Sequence, residues 1–225
     1  MAAMSHAPDL GKPAKGWTRR KQARPGEILD AALQVFAEKG YAAARMEDIA
    51  ARAGVTKGTI YLYFPSKEDV FKALARQHVG STITQATGVA EHYEGTVRDF
   101  LAMMLGMMAE KLEHSHLAVF PKIIIAESGN FPELARFWRT EVIDKVMGMA
   151  STVIARGIAR GELRQLPADV TPEYVARLCV APVLMSLIWR TVFAATDKVP
   201  FDYEKFLALH LDILMRGLAP EGNVK

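Results

Sequence analysis

The run Met46-Glu47-Asp48-Ile49-Ala50-Ala51-Arg52-Ala53-Gly54-Val55-Thr56-Lys57-Gly58-Thr59-Ile60-Tyr61-Leu62-Tyr63-Phe64 narrows the folding options more than any other part of the chain. Ile49, Ala50 and Ala53 give a first short helix an apolar stripe at i, i+1, i+4. Gly54 stands where that helix must stop and reverse, a place for a residue that takes positive φ without steric cost. Val55 is apolar where a free loop would be polar, so it is expected to plug the gap between two helices, with Thr56 capping the second. The pattern is helix, tight turn, helix: the layout of a helix-turn-helix that reads DNA.

The second helix divides by face. At roughly 100° per residue, Ile60 and Phe64 fall together and should pack inward, while Gly58, Thr59 and Leu62 point away. Tyr61 and Tyr63 sit on opposite flanks. In a major groove the outward residues would meet base edges and the tyrosine hydroxyls the phosphate walls.

The flanks fit a small helical head. Upstream, Ile28, Leu29, Ala32, Val35 and Phe36 form a helical stripe, with Pro25 suited to its first turn and Lys39-Gly40 to its end. Downstream, Ser66 with Asp69 resembles a capping box that starts another helix. Ile28-Leu29-Asp30-Ala31-Ala32, Phe36-Ala37-Glu38-Lys39-Gly40-Tyr41, Met46-Glu47-Asp48-Ile49-Ala50 and Gly54 through Lys67 together resemble the N-terminal domain of TetR-family transcriptional regulators. The match runs without a gap from about Ile28 to Phe71, the first third of the chain.

That resemblance implies Lys57, Gly58, Thr59 and Leu62 near base edges, and Tyr61, Tyr63 and Lys67 on the sugar-phosphate backbone. Arg45 departs from the Thr or Ser that many relatives carry at the start of the first helix of the pair. The change loses a good N-cap and adds a cation, for which a phosphate contact is the expected role. Charge agrees with a nucleic-acid-binding head. Through Arg76 the chain has 13 Lys+Arg against 8 Asp+Glu, and beyond it 15 against 17. Lys12, Lys15, Arg19, Arg20, Lys21 and Arg24 make residues 1–24 a basic, flexible arm, followed by a DNA-binding domain over 25–70 and a helical effector-binding and dimerisation domain over 71–225.

The rest of the chain reads as all-α, about nine helices in total, as the resemblance also implies. Thr96 with Asp99, Asn130 with Glu133, Thr171-Pro172 and Asp202 mark helix starts; Gly129, Gly161-Glu162-Leu163 and Asp197-Lys198 mark breaks. No alternating β pattern is present. Half of the 225 residues are hydrophobic, enough for a head and a larger helical core. Cys179 is the only cysteine, which excludes an internal disulfide, and its apolar neighbours suit a buried thiol. The first residues lack the apolar core of a signal peptide. The longest apolar run, Leu178 to Trp189, contains Pro182 and is too short to span a bilayer. A cytoplasmic protein is expected.

Tyr174 to Ala194 is apolar almost all round, and Phe206, Leu209, Leu211, Ile213 and Leu214 give a final helix a broad apolar face. Paired across two subunits these would form a four-helix bundle, the homodimer that the resemblance implies. A two-fold dimer would read an inverted-repeat operator. In the middle of the chain, Met103, Met104, Met107 and Met108 with Phe100, Phe120, Phe137, Trp138 and Trp189 supply thioethers and aromatic rings. They suggest an adaptable pocket for an apolar or aromatic effector, with Met103, Met104, Met107, Phe120 and Trp138 as its candidate lining.

Other chemistries find little support. Glu110 and His114 share a helical face but His116 does not join them, so no metal site is expected. Glu127 and Arg139 read as solvated residues, the alternative being an ion pair or a ligand contact. No glycine-rich phosphate loop or nucleophile elbow points to an enzyme or a cofactor. The expected function is a homodimeric repressor released from its operator by a small ligand, repression being the family's majority habit. The alternative is a ligand-independent DNA-binding protein that acts architecturally or through a protein partner.

Overall fold

In the computed structural model the described residues are 20–114, 118–193, 196–198 and 201–220. They form eleven α-helical segments: α1 (Arg20–Ala43), α2 (Met46–Arg52), α3 (Lys57–Tyr63), α4 (Lys67–Ala75), α5 (Ser81–Glu91), α6 (Val97–His114), α7 (Val119–Glu127), α8 (Pro132–Trp138), α9 (Asp144–Ala159), α10 (Pro172–Ile188) and α11 (Tyr203–Gly217). Two π turns, Arg76–Gly80 and Arg139–Ile143, run α4 into α5 and α8 into α9, and a third, Trp189–Phe193, extends α10. Counted as continuous rods, the described residues make nine helices and no strand.

Local chemistry sets most of the boundaries. Gly54 takes φ 65, and the Val55 and Gly54 amides donate back to the Ala50 and Ala51 carbonyls at 3.0 and 3.2 Å. This paired arrangement closes a helix on a glycine, and it fixes the angle between α2 and α3. Thr56, Ser66, Thr96 and Asp202 each accept from the amide three residues on. Gly40, at φ 74, kinks the end of α1.

Two starts differ from the sequence reading, and a third, at Arg45, agrees with it. The helix after Gly129 begins at Pro132 with Phe131 at the N-cap, because Pro132 fits the first helical position, where its missing N–H is not needed. Pro25 lies inside α1, which starts at Arg20, so residues 20–24 of the expected flexible arm are helical; residues 1–19 lie outside the described residues. At α2, Arg45 is the N-cap, and the lost side-chain cap is supplied from the other direction: the Asp48 carboxylate accepts from the Arg45 amide at 3.2 Å.

Two cores result. The first joins α1–α4 to α7 and α8. Phe71 sits at its centre, fully buried, with the rings of Phe36, Tyr41, Phe120 and Phe137 at centroid distances of 5.6–6.4 Å. The second joins α5, α6, α9, α10 and α11 around Phe100, Ile154 and Ala176. There α9 and α6 approach so closely that a Cβ at Gly157 would overlap Val97. The first core therefore does not end with the residues around the turn; Val119–Trp138 complete it.

Candidate nucleic-acid interface and apolar cavity

The outward face of α3 is built as its helical rotation predicts. Ile60 and Phe64 are buried, Leu62 is 83% exposed, and Tyr61 and Tyr63 flank it at 40% and 36%. Thr56 and Thr59 share a hydroxyl hydrogen bond of 2.8 Å at the front of the helix. A Cβ at Gly58 would meet nothing closer than the Thr56 hydroxyl, so the front of the helix is open.

Exposed ion pairs brace this face from behind. Lys57 pairs with Glu47 at 2.6 Å, linking α3 to α2. Arg52 makes a two-pronged contact with Glu38 at 2.5 and 2.6 Å, and Lys39 meets Asp48 at 2.9 Å, linking α2 to α1. Hydrogen bonds from these cations hold the Glu38, Glu47 and Asp48 carboxyls below their usual range, and Glu47 in turn raises Lys57. All are solvent-facing, so their worth lies in orientation more than in stability. Arg45 is exposed at the mouth of α2.

Lys67 departs from its expected place on the sugar-phosphate backbone. Its ammonium is turned inward and donates to the Tyr41, Ala42 and Ala44 carbonyls at 2.6, 3.1 and 3.0 Å, and it lies 4.5 Å from the Tyr41 ring centre. An ammonium has three donors, and here all three are spent closing the end of α1. Burial lowers its pKa, and the nearby Glu127 carboxylate opposes that shift. Glu127 is no idle surface acid either: its Oε1 accepts from the Ala42 amide at 3.1 Å, so the last residue of α7 holds the α1–α2 corner. Arg139 pairs with Asp144 at 2.5 Å.

Behind the head lies an apolar cavity of about 240 Å³, bounded by α5, α6, α9, α10 and the two touching π turns. Met104, Met107 and Trp138 line it as expected; Met108, Ile83 and Val146 are among the residues that join them. Met103 does not, because it lies about 100° round α6 from Met104, and it is partly exposed. Phe120 is one layer away: it is fully buried in the first core and stacks on Trp138 at 5.7 Å. The α5, α9 and α10 walls were invisible in the sequence, since aliphatic residues there read as ordinary core. The His114–His116 pattern falls partly outside the described residues (115–117). Among the described residues no group of three or more His, Cys, Asp or Glu could hold a metal, and no helix is long and apolar enough to cross a membrane.

Residues 28–74 match the family of bacterial regulatory proteins, tetR family, and residues 93–199 match the tetracyclin repressor-like C-terminal domain. The fatty acid metabolism regulator protein of Bacillus subtilis (strain 168) is 32% identical over 148 residues, which span 64% of this chain and 74% of that protein. The chain belongs to the TetR family. The HTH-type transcriptional repressor KstR2 of Mycobacterium tuberculosis is 26% identical over 200 residues, 88% of this chain and 94% of that one. Among solved structures, the SmeT–triclosan complex matches with a TM-score of 0.73 at 26% identity, covering 89% of this chain and 94% of SmeT. The transcriptional regulator FadR of Bacillus subtilis, in complex with stearoyl-CoA, shares the fold: TM-score 0.69 at 24% identity, covering 86% and 98%. As a TetR-family chain, this is a helix-turn-helix transcriptional regulator whose head is α1–α3 with α4.

Proposed function

We propose that this TetR-family regulator is a homodimeric repressor that binds an inverted-repeat operator and is released by a small apolar effector. In this reading Lys57, Gly58, Thr59 and Leu62 meet base edges, Tyr61, Tyr63 and Arg45 meet phosphates, and Lys67 acts by holding the α1 corner on which α2 rests. The observation that carries it is the double position of Trp138, which lines the cavity on one side and stacks on Phe120 in the head's core on the other. Phe120 in turn lies against Phe71 of α4, 5.6 Å between centroids. An effector that displaces Trp138 therefore acts on the packing that sets the tilt of α4. Release requires only that the effector bind one tilt better than the other.

Apolar side chains on α10 and α11 support the dimer. Leu178, Met185, Leu209 and Ile213 are each about half exposed or more, a concentration that soluble monomers rarely show. Triclosan, bound by SmeT, and the acyl chain of the stearoyl-CoA bound by FadR support an effector with an apolar body.

Selection of binding sites from a random DNA library tests the reading. Recovery of an inverted repeat, lost when Ile213→Glu makes the protein monomeric, is the expected result. Equal affinity for symmetric and scrambled half-sites would overturn it. In a salt series, Lys57→Ala should relax sequence preference, whereas Tyr63→Phe should weaken binding to all sequences alike.

A further inference from the structure

His78 stands in the wall of the cavity with one ring nitrogen left unpaired. Nε2 of His78 is buried and without a hydrogen-bond partner. Ser151 Oγ, Tyr203 OH and His210 Nε2 share that condition, but of the four residues only His78 lines the cavity. A buried polar atom left unpaired is a standing cost in a folded protein and calls for an explanation. The lining around it is apolar apart from Thr82, one turn further along the helix: Val79, Ile83, Met104 and Trp138 are among its members.

His78 also occupies an unusual piece of backbone. It is the middle residue of the π turn Arg76–Gly80, and the facing π turn Arg139–Ile143 contributes Val142 and Ile143 to the same wall. The two turns touch. π turns inside helices gather at functional sites, and here two of them frame one cavity. Nε2 itself is closed off from solvent. Engaging a ligand in the cavity therefore takes a turn of the ring, and the terminal torsion of histidine is broad and roughly two-fold.

We infer that His78 is the hydrogen-bonding anchor of the effector, and that the effector is an uncharged, largely apolar molecule carrying a hydroxyl. The inference rests on the reading of this cavity as the effector site. Size is bounded from below: about 240 Å³ of apolar space is enough to admit a two-ring aromatic body. The lining disfavours charge: among the described residues no Asp, Glu, Lys or Arg lines the cavity, and an ion buried without a counter-charge is heavily penalised. The hydroxyl follows from imidazole chemistry. A hydroxyl donates to Nε2 when that nitrogen is bare and accepts from it when it carries the proton, whereas a carbonyl meets only the protonated nitrogen.

Isothermal titration of the full chain with naphthalene, 2-naphthol and 2-naphthoate tests this on one apolar body. The wild type should bind 2-naphthol about three- to ten-fold tighter than naphthalene, the worth of one net hydrogen bond. His78→Leu should erase that preference while keeping naphthalene binding, and His78→Gln, which retains a hydrogen-bonding group, should keep part of it. Equal binding of 2-naphthol and naphthalene to the wild type, or a preference that survives in His78→Leu, overturns the anchor and leaves the proposed effector site standing. Tightest binding of 2-naphthoate overturns the uncharged class. Failure of both neutral probes to bind overturns the effector site itself, and the anchor with it.

Discussion

The two cores of this regulator are built to different standards of completion. The first is packed on its own aromatic side chains: four rings meet around Phe71, and the helix ends are bonded off by Lys67 and Glu127. The second, made chiefly of aliphatic and methionine side chains, stops short. It leaves a cavity on the side facing the head, and apolar rows on α10 and α11 on the other. A reading head must hold α3 at a fixed angle, and rigid aromatic packing does that. A sensing body must accept something from outside, and flexible thioethers around a gap allow it.

The sharpest way to break this contrast is at its centre. Phe71→Ala should lower the unfolding free energy by about 3–5 kcal/mol, as removal of a fully buried aromatic side chain does, measured by denaturant titration. A loss near 1 kcal/mol would mean that the first core is as yielding as the second. In the second core α6 and α9 meet closely at Gly157, and Gly157→Ala should cost about 1–3 kcal/mol by overpacking against Val97. A neutral result there would show that α6 and α9 can slide apart, and that the body is softer than its packing suggests.

Smaller effects sharpen the picture. Burial pushes the Cys179 thiol up to about 12, so at pH 8 almost none of it is thiolate in the native protein. A thiol reagent such as DTNB should leave it unlabelled until denaturant unfolds the body, whereupon the thiol returns to its ordinary range and reacts. Ready labelling of the folded protein would place the gap in the second core next to α10's buried face as well. Leu62→Ala should change stability by less than about 0.5 kcal/mol, since Leu62 touches almost nothing, while altering the operator sequences recovered by selection. A marked drop in melting temperature would mean that Leu62 packs on something other than DNA.

Much of the head was legible because its determinants are local. Gly54 needs positive φ whatever surrounds it; Thr56 and Ser66 cap their own helices; Ile60 and Phe64 share a face by rotation alone. What the sequence did not show was tertiary. Lys67 looked like a phosphate contact because nothing in its neighbours reveals that the end of α1, some 25 residues earlier, brings three carbonyls to it. Phe120 looked like a pocket residue because it lies near Trp138, and only packing assigns the two to opposite sides of one wall. Met103 was one residue out of register with the cavity. His78 gave no signal: a histidine becomes notable only when its partners prove to be missing, and nothing in the residues around it marks the π turn that carries it.

The completion of the first core by Val119–Trp138 has a practical corollary for anyone recombining regulators. Residues 20–75 look like a cassette that could be joined to a foreign sensing body. Cut out alone, they would leave an unfilled socket beside Phe71 where Phe120, Leu134 and Phe137 belong, and the α1–α2 corner without the Glu127 carboxylate. The transferable unit is discontinuous: the head together with α7 and α8, grafted as a pair of segments, so that the seam runs through the body and not along the boundary the chain order suggests.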